Sequence, residues 1–251
     1  MIASDTNEHL EPVITISQPR YLPSVNYLQR ICYSDIFVVL DIVQRQSRGF
    51  ENRNRLLLPE PRWLTIPIKS SSRAAIADTL IDGEDWVILH KTQITSAYCR
   101  APYFDEYLLN LYFSGFQLKD FAQSDVFSLA SVRALTLVLD ELELPYNFIF
   151  ASDFFDHAVS SAQGPDKLLR ICEHLGASTY LSGENGRNYG VIESFTNSLC
   201  RALFHINEQT PYVQHNQDSG FVPHMGFFDA LFNCGRDWFR DTLMKTPTLV
   251  P

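Results

Sequence analysis

The chain has 251 residues, with 29 acidic against 20 basic side chains, a net charge of -9 and 45% hydrophobic content. That is ample apolar material for a core. The acidic balance argues against a nonspecific phosphate-backbone binder, which neutralises many phosphates with Lys and Arg, so no nucleic-acid partner is expected. No stretch approaches the roughly 18 consecutive apolar residues of a membrane span. Residues 1–12 carry Asp5, Glu8 and Glu11 in place of a basic start and an apolar signal segment. They read as a disordered tail on a soluble, cytoplasmic protein. Cys32, Cys99, Cys172, Cys200 and Cys234 are odd in number and scattered, without a CxxC pair or zinc spacing, and are read as reduced thiols.

From Val13 the elements follow in order. Val13 to Ser17 alternates as a strand. Leu22 to Tyr33 has apolar residues at helical spacing, and Ile36 to Leu40 is an apolar, largely β-branched run typical of a buried parallel strand. Together they predict a βαβ unit. Trp63 to Ile68 reads as a strand, Ser70 to Arg73 as a polar loop, and Ala75 to Ile81 as a further strand ending at the Asp82-Gly83 turn signal. Helices are predicted over Trp86–Tyr98, Tyr103–Phe113 and Val126–Leu142. Tyr146–Ala151, the helix Pro165–Leu175 and the strand Thr179–Leu181 read as a second βαβ unit. Ile192–Ser198 is predicted as a helix, Ala202–Ile206 as a strand, and Phe227–Cys234 as an apolar helix. The expected fold is α/β, a Rossmann-like, mostly parallel sheet in one domain over residues 13–251, with a helical insertion at about 85–142.

In open parallel sheets ligands bind at the carboxyl ends of the strands. Asp41 ends the second predicted strand and is a candidate base whose pKa burial would set; the competing reading is a cap on the following turn. Gln18 and Gln44 would reach the same crevice with amide donors and acceptors suited to a polyhydroxylated ligand. Arg48, Arg53 and Arg55, with Asn52 and Asn54, form a candidate anion grip, because guanidinium holds phosphate or carboxylate in a bidentate fork. In an extended segment Arg53 and Arg55 would share one face and Asn52 and Asn54 the other. A solvated charged face is the alternative. The loop from Ser182 and Gly183 through Gly186 to Tyr189 follows a strand and could turn backbone amides toward an anion, or be a plain turn.

For nucleophilic catalysis there is Cys234, with His224 and His215 upstream and Asp229 nearby; a thiolate paired with a His could carry an acyl group, whereas burial at a helix end would leave it inert. Tyr21, Tyr103 and Tyr189 stand beside these residues as candidate platforms for a sugar ring, or as core. His and acidic residues show no HExxH or comparable spacing, and no cofactor motif occurs, so neither metal nor cofactor is expected.

Read in order, Ile16-Ser17-Gln18-Pro19-Arg20-Tyr21-Leu22-Pro23, Leu40-Asp41-Ile42-Val43-Gln44, Asn52-Arg53-Asn54-Arg55, Ala101-Pro102-Tyr103-Phe104, Tyr180-Leu181-Ser182-Gly183 and Asp229-Ala230-Leu231-Phe232-Asn233-Cys234-Gly235 resemble the WbqC-like family over about Val13 to Arg236. Ser17, Ile42 and Gly226 depart from its usual His, acidic residue and Ser. The resemblance implies a setting in bacterial surface polysaccharide or amino-sugar synthesis. The expected function is an acyl or aminoacyl transferase, glycyl transfer included, acting on the amine of a nucleotide- or lipid-linked amino sugar in O-antigen-type synthesis, with an acyl or aminoacyl carrier protein as a further candidate partner. Two alternatives stand beside it: an ATP-dependent amide-forming enzyme, by fold analogy to nucleotidylyltransferases whose paired histidines are absent here, and a non-catalytic sugar- or carrier-binding scaffold. Convergence of Asp41 and the Asn-Arg segment on a closed pocket would favour catalysis over the scaffold.

Overall fold

The computed structural model of the chain describes residues 12–46, 49–58, 60–69, 74–117, 126–155, 159, 161–215 and 220–251. Arg48, the Ser70–Arg73 loop and all of the predicted tail but Pro12 lie outside the described residues.

The first unit forms as the sequence predicts. Strand β1 (Val13–Ser17) leads to helix α1 (Val25–Tyr33) and to β2 (Ile36–Val39), parallel to β1. The helix starts three residues later than Leu22. Leu22 precedes a proline, which disfavours helical backbone, and takes φ 45°. Side chains alternate across β2: Phe37 and Val39 face the cluster that holds Leu28 and Ile31 of α1, while Val38 joins the one on the other face. The sheet is covered on both sides, which accounts for the unbroken apolar run.

Next comes an antiparallel hairpin of β3 (Arg53–Leu58) and β4 (Glu60–Thr65), outside the main sheet. The predicted strand at Ala75–Ile81 is instead a 3-10 turn at Ile76–Asp78 flanked by isolated bridges, Gln44 to Ala75 and Ile68 to Ile81. Thr79 there donates its hydroxyl to the Ala75 carbonyl and closes the turn locally. Helices α2 (Asp85–Tyr98), α3 (Glu106–Ser114) and α4 (Phe127–Glu141) form the helical insertion and pack into the larger core cluster.

The chain returns to the sheet with β5 (Phe148–Phe150), followed by the short α5 (Ala151–Phe154), α6 (Gly164–His174), β6 (Thr179–Gly183), a 3-10 turn at Glu184–Tyr189, α7 (Val191–Phe195) and β7 (Arg201–His205). It closes with α8 (Phe227–Cys234), α9 (Arg236–Met244) and β8 (Leu249–Val250). The strand order is β5-β2-β1-β6-β7-β8, all parallel except β8.

The predicted second βαβ unit is therefore corrected. Its strands, β5 and β6, are separated by β2 and β1, because β1 and β2 already hold the centre and β5 adds outside β2. The connection through α6 crosses to the other half of the sheet, and the strand order reverses between β1 and β6. Such a reversal opens a crevice at the carboxyl ends of the strands.

Candidate functional site

A cleft of about 1130 Å³ occupies that crevice. Ser17 and Gln18 at the end of β1, Ile42 to Gln44 beyond β2, and Ser182 and Gly183 at the end of β6 line it. Helix α1 contributes Ser24, Asn26 and Arg30, β3 contributes Asn54 and Arg55, and the first turn of α6 contributes Lys167. The turn after β6 adds Glu184, Gly186 and Tyr189, and His224 approaches from the segment before α8.

The lining is strongly basic although the chain is acidic. Arg20, Arg30, Arg55 and Lys167 face one carboxylate, Glu184, and Glu184 accepts a hydrogen bond from the Asn207 backbone N–H at 3.1 Å. Among the described residues no carboxylate forms an ion pair with Arg20, Arg30 or Arg55; the four ion pairs lie elsewhere. Burial lowers the Arg30 pKa to about 10, with the nearby Arg20 adding to the effect, and burial also lowers that of Lys167. Arg30 stays cationic at neutral pH. Burial and then the adjacent Arg55 depress His224, which is a neutral imidazole in this setting.

Two local features shape the wall. A Cβ on Gly186 would sit 2.1 Å from the Ser182 hydroxyl, so any larger residue would force that hydroxyl to turn aside at the end of β6. Asn54, buried on β3, donates to the Leu22 carbonyl and accepts from the Arg55 N–H at 2.7 Å. It thereby fixes the strand that presents Arg55.

Residues 18–241 match the WbqC-like protein family. The chain belongs to that family. It is 26% identical over 231 residues to the uncharacterized protein Rv1507c of Mycobacterium tuberculosis (strain ATCC 25618 / H37Rv), covering 89% of this chain and 94% of that protein. No solved structure matches significantly.

Of the residues that the sequence of this WbqC-like chain singles out, Gln18, Gln44, Asn54, Arg55, Ser182, Gly183, Gly186, Tyr189 and His224 converge on the cleft. Others do not. Asp41 is buried with both carboxylate oxygens engaged by Ser152, one by its N–H at 2.9 Å and one by its hydroxyl at 2.7 Å. This ties the end of β2 to α5 and turns the group away from the cleft that its neighbours Leu40 and Ile42 line. Tyr21 is fully buried in an aromatic cluster with Trp86, Tyr112 and Phe116, its hydroxyl 2.8 Å from His90 Nδ1. Asn52 donates to the Ile66 carbonyl at 2.7 Å across the hairpin, and Arg53 lies over the Trp63 ring at 4.2 Å. Arg48 lies outside the described residues.

The proposed Cys234 constellation is dispersed. Cys234 and Tyr103 line a second cavity of about 610 Å³ beside Arg236 and Trp238, whereas His224 lines the first. Burial pushes the Cys234 thiol up to about 12, so it is protonated and a poor nucleophile. The third candidate of that group, Asp229, is buried and accepts from Tyr98 at 2.8 Å, Tyr212 at 2.6 Å and Gln214 at 2.7 Å. Arg20, Asn26, Arg30 and Lys167 were missed by sequence reasoning. Only one local signal marked them: Asn26 and Arg30 share a helix face at i and i+4 with the buried Tyr27 and Ile31 beside them. Ser17 and Ile42, two of the departures from the family pattern, both line the cleft.

Proposed function

We propose that the cleft binds an anionic nucleotide-linked amino sugar and that the chain transfers an acyl or aminoacyl group to the sugar's amine. The observation that carries this reading is the basic lining, four basic side chains against one carboxylate, at the switch point of an acidic α/β protein. Gln18 and Gln44 supply amides for sugar hydroxyls, and the exposed Tyr189 offers a ring face at the rim. The amine must lose its proton to attack. Neutral His224 is the group in the cleft suited to take that proton; the new C–N bond forms as the C–S bond of a thioester donor breaks and its thiolate leaves. A covalent step on Cys234 has no part in it, given the protonated thiol in the other cavity.

The engagement of Asp41 by Ser152 favours a second reading, a non-catalytic subunit that holds the sugar for a partner enzyme. Calorimetry with nucleotide-linked amino sugars tests the binding, with Arg55→Ala expected to weaken it about 10–100-fold through a lost charge-assisted contact. Mass spectrometry of the sugar after incubation with acyl and glycyl thioesters separates the two readings. An unmodified sugar that nonetheless binds supports the subunit, and absence of saturable binding overturns both.

A further inference from the structure

The inner end of the cleft holds groups that the fold leaves unsatisfied. Asn26 and Arg30 are 4% and 6% exposed, one helical turn apart on α1. Arg30 Nη1 donates to the Asn26 carbonyl at 3.2 Å, but Arg30 Nε and Asn26 Nδ2 have no hydrogen-bond partner among the described residues. Buried donors without an acceptor are costly, and both residues stand on the wall of the cleft, where a bound anion would offset that cost.

Three further observations say what that is. Arg20 lines the same wall, and its guanidinium and that of Arg30 both approach the Tyr27 ring, at 5.5 and 5.7 Å, so two cations stand close together and suit an anion of more than one charge. The nine-residue α1 opens at Ser24, also on the cleft wall, with no acidic residue in its first turn and no side-chain cap on its free N–H groups. The Arg30 guanidinium lies against the backbone at Gly183, where a Cβ would stand 3.4 Å from Cζ, so the cationic cluster reaches the end of β6, where an open α/β sheet takes its ligand.

We infer that Asn26, Arg30, Arg20 and the α1 N-terminus form a phosphoryl subsite that seats the diphosphate of the ligand. This rests on the sugar-nucleotide reading for its physiological ligand, but the subsite itself is tested with a simpler probe. The outer cation, Arg55, then contacts the sugar end near His224.

The test is calorimetry of the full chain, wild type, Asn26→Asp and Arg30→Met, with inorganic pyrophosphate, a uridine-diphosphate amino sugar and a short-chain polyprenyl-diphosphate amino sugar, melting temperatures being followed in parallel. Asn26→Asp gives Arg30 an internal counter-ion, so it is expected to keep or raise the melting temperature while weakening pyrophosphate about 10–100-fold. Arg30→Met removes the buried charge with similar volume and is expected to give the same loss. Whichever diphosphate-linked sugar loses affinity in parallel is the source of the phosphoryl group. Pyrophosphate binding that both variants abolish, with neither sugar bound by wild type, sustains the subsite and overturns the sugar reading. Sugar-nucleotide binding that both folded variants leave within about twofold overturns the subsite and leaves the sugar reading standing. No binding of pyrophosphate by wild type overturns the subsite.

Discussion

Asp229 and Arg30 are both buried ionisable groups, and the fold treats them in opposite ways. Around Asp229 three donors, Tyr98, Tyr212 and Gln214, are drawn in from α2 and from the segment before α8. Around Arg30, by contrast, Nε has no hydrogen-bond partner and no carboxylate forms an ion pair with the guanidinium among the described residues, which otherwise give it the Asn26 carbonyl and the Tyr27 ring. A buried carboxylate with both oxygens engaged serves the architecture around it, whereas on the subsite proposed above Arg30 keeps its free donor for a ligand. Asp41, bonded twice by Ser152, belongs with Asp229. Substitution of the bonded carboxylates is therefore expected to alter stability without altering ligand affinity, and substitution of the cleft cations the reverse.

The largest effect is expected at Asp229. Asp229→Ala strands three buried donors and should cost about 3–5 kcal/mol in urea unfolding. If it instead weakened ligand binding with stability intact, the contrast would fail.

Next comes acid lability. Burial holds His90 and His205 neutral, each with its pKa lowered to about 4. The unfolded chain protonates these rings near pH 6.5 and the folded one does not, so the unfolded state binds more protons between pH 6.5 and 4, and stability must fall as pH falls through that window. Each contributes about 3 kcal/mol in the limit, and His90→Gln should flatten the loss measured by urea melts across that range.

A smaller effect is expected at Asp41, where Asp41→Asn keeps the shape but weakens the tie to Ser152 by about 1–3 kcal/mol while leaving ligand affinity at the wild-type value. A large affinity loss there would return Asp41 to the site. The smallest belongs to Cys234→Ser, predicted to change ligand affinity by less than about 0.5 kcal/mol, because the thiol lies in the other cavity and is protonated.

What could be read from the sequence follows the range of the interactions. The buried runs of β1 and β2 and the apolar helix Phe227–Cys234 announce themselves through periodicity, and the observed spans agree closely. The alternation of Asn and Arg through residues 52–55 separates Asn54 from Arg53 and Arg55 by face, and in β3 the Asn54 face is the buried one. Yet Arg53 and Arg55, on the same face, part company. A cross-strand tryptophan captures the first and the cleft receives the second, and the alternation of the strand does not distinguish the two destinations. Arg30 was hidden for the same reason: on α1 taken alone it looks like the solvated member of an amphipathic helix, and it is buried only because β6 and the turn after it, some 150 residues later, come to lie against it. Asp41 shows the converse error. A carboxylate at the end of a central strand is well placed for a site, but Ser152, brought alongside by the pairing of β2 with β5, had already claimed it.

The β3–β4 hairpin also equips the cleft with an optical gauge. Trp63 is 45% exposed and its ring centroid lies 5.4 Å from that of Phe50, which lines the cleft and is itself approached by Arg20. Trp86 is sealed in the aromatic cluster with Tyr21. The emission of Trp63 should thus respond to acrylamide and to anything that displaces Arg20 or Phe50, while that of Trp86 stays constant. The third tryptophan, Trp238, lies beside Tyr212 at the second cavity, so Trp63→Phe is the control that isolates the signal of the cleft.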